Sequence, residues 1–174
     1  MIIIIEGVDK TGKTTLAKEL AKKLGLQYFK SNLQKGHFNN NDFKNALKYE
    51  GLFMIDFLEQ VNINLIIDRS YPSEFAYARA YERETDDKIL FELDDRCAKL
   101  GVLMIYCYKT DNDQYLNELT DEIIIDHTKM DLIKHCYDSF FKMTACKHLY
   151  LNMDSRDLDK QIYAVKEWLK GVEI

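Results

Sequence analysis

The first 25 residues, MIIIIEGVDKTGKTTLAKELAKKLG, constrain this chain more than any other stretch. Four isoleucines run into Glu6 and then into Gly7–Thr14, which fits the pattern G-x-x-x-x-G-K-[ST] at every fixed position. A short, fully apolar run of β-branched residues predicts a strand buried on both faces over Ile2–Glu6. From about Thr14 to Leu24, Leu16, Leu20 and Leu24 share one helical face, while Lys18, Lys22 and Lys23 fall largely off it. Gly25 stands where a helix end takes a left-handed residue. Strand, glycine-rich turn and helix in that order make an anion site. The glycines let several N–H groups converge, and the helix contributes the positive end of its dipole. In this pattern Lys13 bridges the β- and γ-phosphates of a triphosphate and the Thr14 hydroxyl ligates Mg²⁺.

The rest of the chain repeats the alternation. Strands are expected at Leu26–Lys30, Leu65–Asp68, Val102–Tyr108 and His148–Leu151, and helices at Asp42–Gln60, from Pro72, at Asp87–Leu100, Lys129–Thr144 and Leu158–Lys170. Ser31–Asn41 is polar, with Asn39, Asn40 and Asn41 reading as loop and cap. Strands alternating with helices predict the α/β class, a doubly wound five-stranded parallel sheet. One domain over residues 1–174 is expected.

Composition narrows the classes. An apolar share of 47% and a charged share of 30% describe an ordinary globular chain. No apolar run approaches the ~18 residues of a membrane span, and Ile2–Ile5 is too short for a signal-peptide core. The four cysteines, Cys97, Cys107, Cys136 and Cys146, form no C-x-x-C pair, which suits free thiols in a reducing cytoplasm. A net charge of −5 argues against a nucleic-acid partner. A guanine-reading N-K-x-D is not supplied by Tyr108-Lys109-Thr110-Asp111, which argues against a GTPase. Gly7, Asp9, Lys10, Thr11, Gly12, Lys13, Thr14 and Thr15 form the expected nucleotide-phosphate loop.

Glu6-Gly7-Val8-Asp9-Lys10-Thr11-Gly12-Lys13-Thr14-Thr15 resembles the phosphate loop of thymidylate kinases, E-G-x-D-R-x-G-K-[ST]-T. Leu65-Ile66-Ile67-Asp68-Arg69-Ser70 resembles their strand ending in D-R-Y, followed by a similar apolar-Ala-aromatic run at Phe75-Ala76-Tyr77. Leu52–Phe57 resembles the helix that carries the base-stacking phenylalanine. The likeness follows the chain in order and spacing. It implies a fold of the P-loop kinase type, with an acceptor-binding helical part at about 31–63 and a reduced lid at about 109–127, and ATP-dependent phosphoryl transfer, with Mg²⁺, to a deoxynucleoside monophosphate, dTMP or a related pyrimidine, modified or not. Arg69, at the carboxyl edge of a strand, suits bidentate grip on an acceptor phosphate; the alternative is a surface ion pair. Asp68 either holds Mg²⁺ through water or caps the next turn. The resemblance gives Asp9 contact with the acceptor's 3′-hydroxyl or the metal, against a turn-stabilising role. Phe53 and Tyr77 either pack a base or belong to the core.

The chain also departs from the pattern. Phe57 stands where the resemblance implies a base-reading arginine, so a different or modified pyrimidine, or a relaxed pocket, is expected. The arginine near the second strand is missing, leaving Lys30 or Lys35 to replace it. No arginine lies between Arg96 and Arg156, and Lys10 stands where one branch carries a catalytic arginine, so Lys10 is assigned that charge. The adenine site is expected between the lid and Asn152-Met153-Asp154-Ser155. Two other readings stand. Deoxynucleoside kinases share an [ED]-R-S motif matched by Asp68-Arg69-Ser70, but no carboxylate base occurs between Lys30 and Asp42. A non-catalytic nucleotide-binding regulator would suit the sparse lid, but not Lys13, Thr14, Asp68 and Arg69 together. The resemblance also implies a homodimer through Asp42–Gln60 and Pro72–Glu82, whose apolar positions otherwise serve as core.

Overall fold

The isoleucine run forms the middle of the sheet. In the computed structural model, which describes residues 1–30, 40–111 and 127–172, the strands are β1 (Ile2–Glu6), β2 (Gln27–Lys30), β3 (Leu65–Asp68), β4 (Leu103–Tyr108) and β5 (Lys147–Asn152). The helices are α1 (Lys13–Leu24), α2 (Asn40–Gln60), α3 (Tyr71–Ala80), α4 (Asp87–Lys99), α5 (His127–Met143) and α6 (Leu158–Gly171). All five strands are parallel in the order β2-β3-β1-β4-β5. Every strand and helix expected from the sequence is present, with small shifts at its ends. Of the expected loop at Ser31–Asn41, residues 31–39, Lys35 among them, lie outside the described residues, as does most of the expected lid, while Asn40 and Asn41, expected as loop and cap, already belong to α2.

Period-two geometry sends alternate β1 side chains to opposite faces. Ile2 and Ile4 join Ile67, Met104, Phe75, Tyr137 and Phe140 beneath α2–α5. Ile3 and Ile5 join Leu16, Leu20, Ile105, Ile162 and Val165 beneath α1 and α6. The sheet is therefore covered on both faces, and each fully buried isoleucine contributes about 2 kcal/mol. Pro72 sits in the first turn of α3, where its missing N–H costs nothing. Asp86 caps α4 by accepting from the Ile89 N–H (3.3 Å), and Asp157 caps α6 by accepting from Lys160 (3.1 Å). The four cysteines are free and buried. Among the described residues no helix is long and apolar enough to cross a membrane.

Strand order fixes the site. With β3 between β2 and β1, Asp68 registers with both Ile5 and Lys30. The carboxyl ends of three strands thus deliver Gly7, Asp68 and Lys30 side by side, where parallel α/β sheets bind ligands.

Candidate active site

The turn after β1 requires glycine. Gly7 has φ 139°, and a Cβ there would lie 2.1 Å from the Cys107 carbonyl oxygen of β4. Gly12 (φ 88°) precedes α1, and Lys10, which is exposed, also takes a left-handed φ of 62°. The loop closes on itself: Thr11 Oγ1 donates to the Val8 carbonyl (2.9 Å), and Lys13 Nζ donates to that same carbonyl and to Thr11 Oγ1 (3.1 Å). Lys13 is buried, and burial, with Arg69 nearby, pushes its pKa down to about 7. A buried ammonium inside a ring of backbone groups is suited to an incoming anion.

Thr14 Oγ1 donates to Asp68 Oδ2 (2.6 Å), as does Tyr28 (2.9 Å), and Lys30 Nζ lies 3.6 Å from the same oxygen. Asp68 Oδ1 is buried with no hydrogen-bond partner among the described residues. An orphaned carboxylate oxygen beside a threonine hydroxyl fits a hard cation such as Mg²⁺, whose ligands are oxygens and water. The donor set is thus compatible with the expected metal role of Thr14 and Asp68.

Arg69 holds φ 73°, stabilised by its N–H bond to the Ile5 carbonyl (3.0 Å). Its Nη2 donates to Asp9 Oδ1 (2.5 Å) and to Tyr77 OH (3.3 Å), and its guanidinium lies 5.1 Å from the Tyr77 ring centre. Tyr77 OH donates to Asp9 Oδ2 (2.8 Å). Burial opposes ionisation of Asp9, but Arg69 and Lys13 outweigh it and hold its pKa below the usual carboxylate value. Asp9, Arg69 and Tyr77, chosen from separate stretches of sequence, therefore form one cluster at the loop.

From that cluster opens a cavity of about 460 Å³, with Lys30, Asp68 and Arg69 in its wall and α2, α3 and α4 around the rest. Two expected acceptor residues are not in it. Leu47, Gly51 and Met54 supply the α2 face that lines the cavity, and Ile55 and Leu58 are buried. Phe53 and Phe57 fall on another side of α2, 71% and 37% exposed. The base-packing assignment of Phe53, and the place of Phe57 in the acceptor site, are corrected by helical phase: at ~100° per residue, neither shares the Gly51–Met54 face. Phe29 of β2 lines the cavity instead. The signal for it was the alternation of β2, which puts Phe29 on the face of its register partner Ile67.

Glu6 was also missed as a site residue. It is completely buried, accepting from the Ser70 N–H (2.6 Å), Ser73 Oγ (2.6 Å) and Tyr137 OH (3.2 Å), and burial raises its pKa to about 7. Because Ser70 follows Arg69, this carboxylate fixes the backbone that presents the guanidinium. On the other side of the loop, Asp154 accepts from the Thr110 N–H (2.8 Å), Thr110 Oγ1 (2.6 Å) and Asn152 Nδ2 (2.9 Å). The Met153 N–H donates to the Tyr108 carbonyl (2.7 Å). The segment expected to border adenine is thereby tied to the end of β4.

No family model matches the chain. Over 96 residues, 54% of its length, it is 38% identical to a protein of Acidianus bottle-shaped virus (isolate Italy/Pozzuoli) named "Putative thymidylate kinase". The chain spans 59% of that relative's length. Among solved structures, it is similar to the YorR protein of Bacillus subtilis in complex with phosphorylated GDP, with a TM-score of 0.76, 19% identity, and 98% and 96% of the two chains covered. Thymidylate kinase of Candida albicans gives a TM-score of 0.67 at 16% identity, covering 98% of this chain and 91% of that one. Deoxyadenosine kinase of M. mycoides with bound dCTP gives 0.63 at 19%, covering 99% and 100%. The fold is that of the P-loop kinases, and the thymidylate kinase-like resemblance read from the motifs is borne out.

Proposed function

We propose that this chain transfers the γ-phosphoryl group of ATP to a deoxynucleoside monophosphate, dTMP or a related, modified pyrimidine nucleotide being its acceptor. The observation that carries this reading is the pairing of Lys30 and Arg69 in the wall of a cavity that begins beside Thr14 and Asp68. Two cations at that end suit a phosphate dianion, and a guanidinium suits it bidentately. The absence of a carboxylate between Lys30 and Asp42, where a deoxynucleoside kinase would carry its base, favours the monophosphate over the nucleoside as acceptor.

In this mechanism the loop N–H groups and Lys13 hold the triphosphate. Arg69 exchanges Asp9 for the acceptor phosphate, and Asp9 with Tyr77 then orients the sugar side of the acceptor. An acceptor phosphate oxygen attacks the γ-phosphorus in line. The bond from that phosphorus to the β–γ bridging oxygen breaks, and the charge leaves on ADP. Lys10 supplies positive charge to the transferring group. Mg²⁺ held by Thr14 and Asp68 would neutralise the donor phosphates. The work is positioning and charge complementarity, because such a transition state needs little else from the protein. The reading is of a cytoplasmic enzyme acting on small nucleotides and not on nucleic acid, consistent with its net charge of −5. It also includes a homodimer through α2.

The test is an ADP-release assay with ATP and Mg²⁺ across deoxynucleosides and their monophosphates, 5-substituted pyrimidines included. Turnover on a monophosphate and none on nucleosides is expected, and Lys10→Met is expected to lower kcat at least tenfold. Turnover on nucleosides alone would make the enzyme a deoxynucleoside kinase. ATP binding with no turnover on any acceptor would make it a regulator.

A further inference from the structure

The cavity wall holds a polar feature that the phosphate chemistry does not use. Arg83 Nη1 donates to Glu74 Oε1 (3.1 Å) and Arg83 Nη2 to Glu74 Oε2 (3.0 Å), a two-pronged pair lining the cavity. Its side chains are 16% and 10% exposed, against 30% for each of Lys44 and Lys48 in the same wall. Leu47, Met54, Ile89, Leu90 and Leu93 supply the apolar part of the lining, and Glu50 and Asp86 also lie in the wall.

An ion pair so enclosed adds little stability over apolar side chains of the same volume. The helix end brings the pair together: α3 closes in a Schellman turn, with Glu82 at a left-handed φ of 52°, its N–H returning to the Arg79 carbonyl (3.2 Å) and the Arg83 N–H to the Ala78 carbonyl (2.8 Å), so that Arg83 lies back over the helix carrying Glu74. Two parallel bonds fix the carboxylate plane. A carboxylate accepts about four hydrogen bonds, and Arg83 supplies two of those to Glu74. Acceptor capacity therefore remains on an oriented, poorly hydrated carboxylate in a partly apolar pocket, whose other end carries Lys30 and Arg69. A ligand with a phosphate at one end and an N–H at the other, on a flat apolar body, matches that distribution.

We infer that Glu74 reads the acceptor's nucleobase by accepting one of its N–H groups, with Arg83 as the positioning residue that holds the carboxylate. This rests on the monophosphate reading above and adds to it the residue that makes the base matter. It also accounts for an acceptor site that works without the arginine absent at Phe57, since the polar contact comes from α3 and the turn after it rather than from α2.

Equilibrium calorimetry tests this without requiring turnover. The four common deoxynucleoside monophosphates and deoxyribose 5-phosphate are titrated into the wild-type chain, Glu74→Gln and Arg83→Met. The wild type is expected to bind one nucleotide at least tenfold more tightly than deoxyribose 5-phosphate. Glu74→Gln is expected to remove most of that increment or move it to a different base, and Arg83→Met to weaken it, with deoxyribose 5-phosphate affinity unchanged within twofold. Glu74→Gln retains the volume and a bond to Arg83, so its folding should match the wild type by thermal melting. An increment unaffected in both variants overturns the inference. So does an equal loss for every ligand, deoxyribose 5-phosphate included, or a wild type that binds that sugar phosphate as well as any nucleotide. A base-dependent increment lost in the variants, in a protein that transfers no phosphoryl group, would uphold Glu74 while rejecting the kinase reading.

Discussion

At the scale of single residues, the two glycines at the ends of α1's neighbourhood behave very differently despite similar roles in turns. A Cβ at Gly7 would overlap the Cys107 carbonyl oxygen, whereas one at Gly25 meets nothing within 4 Å. Both hold positive φ, so both carry a backbone penalty, but only Gly7 adds a collision with the neighbouring strand. Gly7→Ala is expected to cost about 3 kcal/mol or more, or to prevent folding, while Gly25→Ala costs about 1 kcal/mol. Urea denaturation of the two variants beside the wild type checks this, and equal losses would mean that the contact with β4 relaxes easily. Such residues were legible in advance because the backbone leaves one chemical choice. Lys13 and Thr14 were legible from the loop pattern, and Asp68 and Arg69 from the resemblance and their place at a strand end, where Thr14 meets Asp68.

Elements were legible for a different reason, and less completely. Burial on both faces marks parallel strands by their apolar runs, so β1, β3 and β4 could be read directly. Which face of a long helix meets a ligand depends on how it crosses the sheet, and the pattern of α2 is apolar on more than one side. The base-packing role was given to Phe53 by resemblance, which does not fix helical phase, and Gly51 and Met54 face the cavity instead. The misplaced residues still form a pattern. Tyr49, Phe53, Phe57 and Val61 recur every fourth residue and are 65%, 71%, 37% and 41% exposed. This exposed apolar row, three aromatics on α2 and Val61 just after it, supports the proposed dimer, because water contact with that area is unfavourable. Sedimentation velocity at micromolar concentration is expected to find a dimer that Phe53→Asp converts to monomer. A monomeric wild type would rule the dimer out.

For the molecule as a whole, Glu6 couples the layers, since one carboxylate at the end of β1 binds the start of α3 and Tyr137 of α5. No sequence pattern announces this, because the partners are far apart in the chain and ordinary in type. Its raised pKa, about 7 against 4.5 for an ordinary glutamate, means that the folded state holds this proton more tightly than the unfolded chain does. The stabilisation is complete below about pH 4.5 and is lost as pH rises through 7, by roughly 3 kcal/mol at most. Glu6→Gln cannot titrate, so the stability difference between wild type and variant is expected to shift against the wild type between pH 5 and pH 8. Parallel stability curves over that range would show that the carboxyl group does not ionise there.

The strand order has a consequence of another kind. Groups proposed to handle phosphate sit at the ends of β1, β2 and β3, whereas the remainder of the acceptor cavity comes from α2, α3, α4 and the turn near Arg83. Heritable changes in the second set need not disturb the first. If the proposed activity holds, a lineage built on this plan can diversify in its acceptor while the phosphate-handling groups stay fixed, and substrate range becomes a faster-evolving trait than the reaction itself.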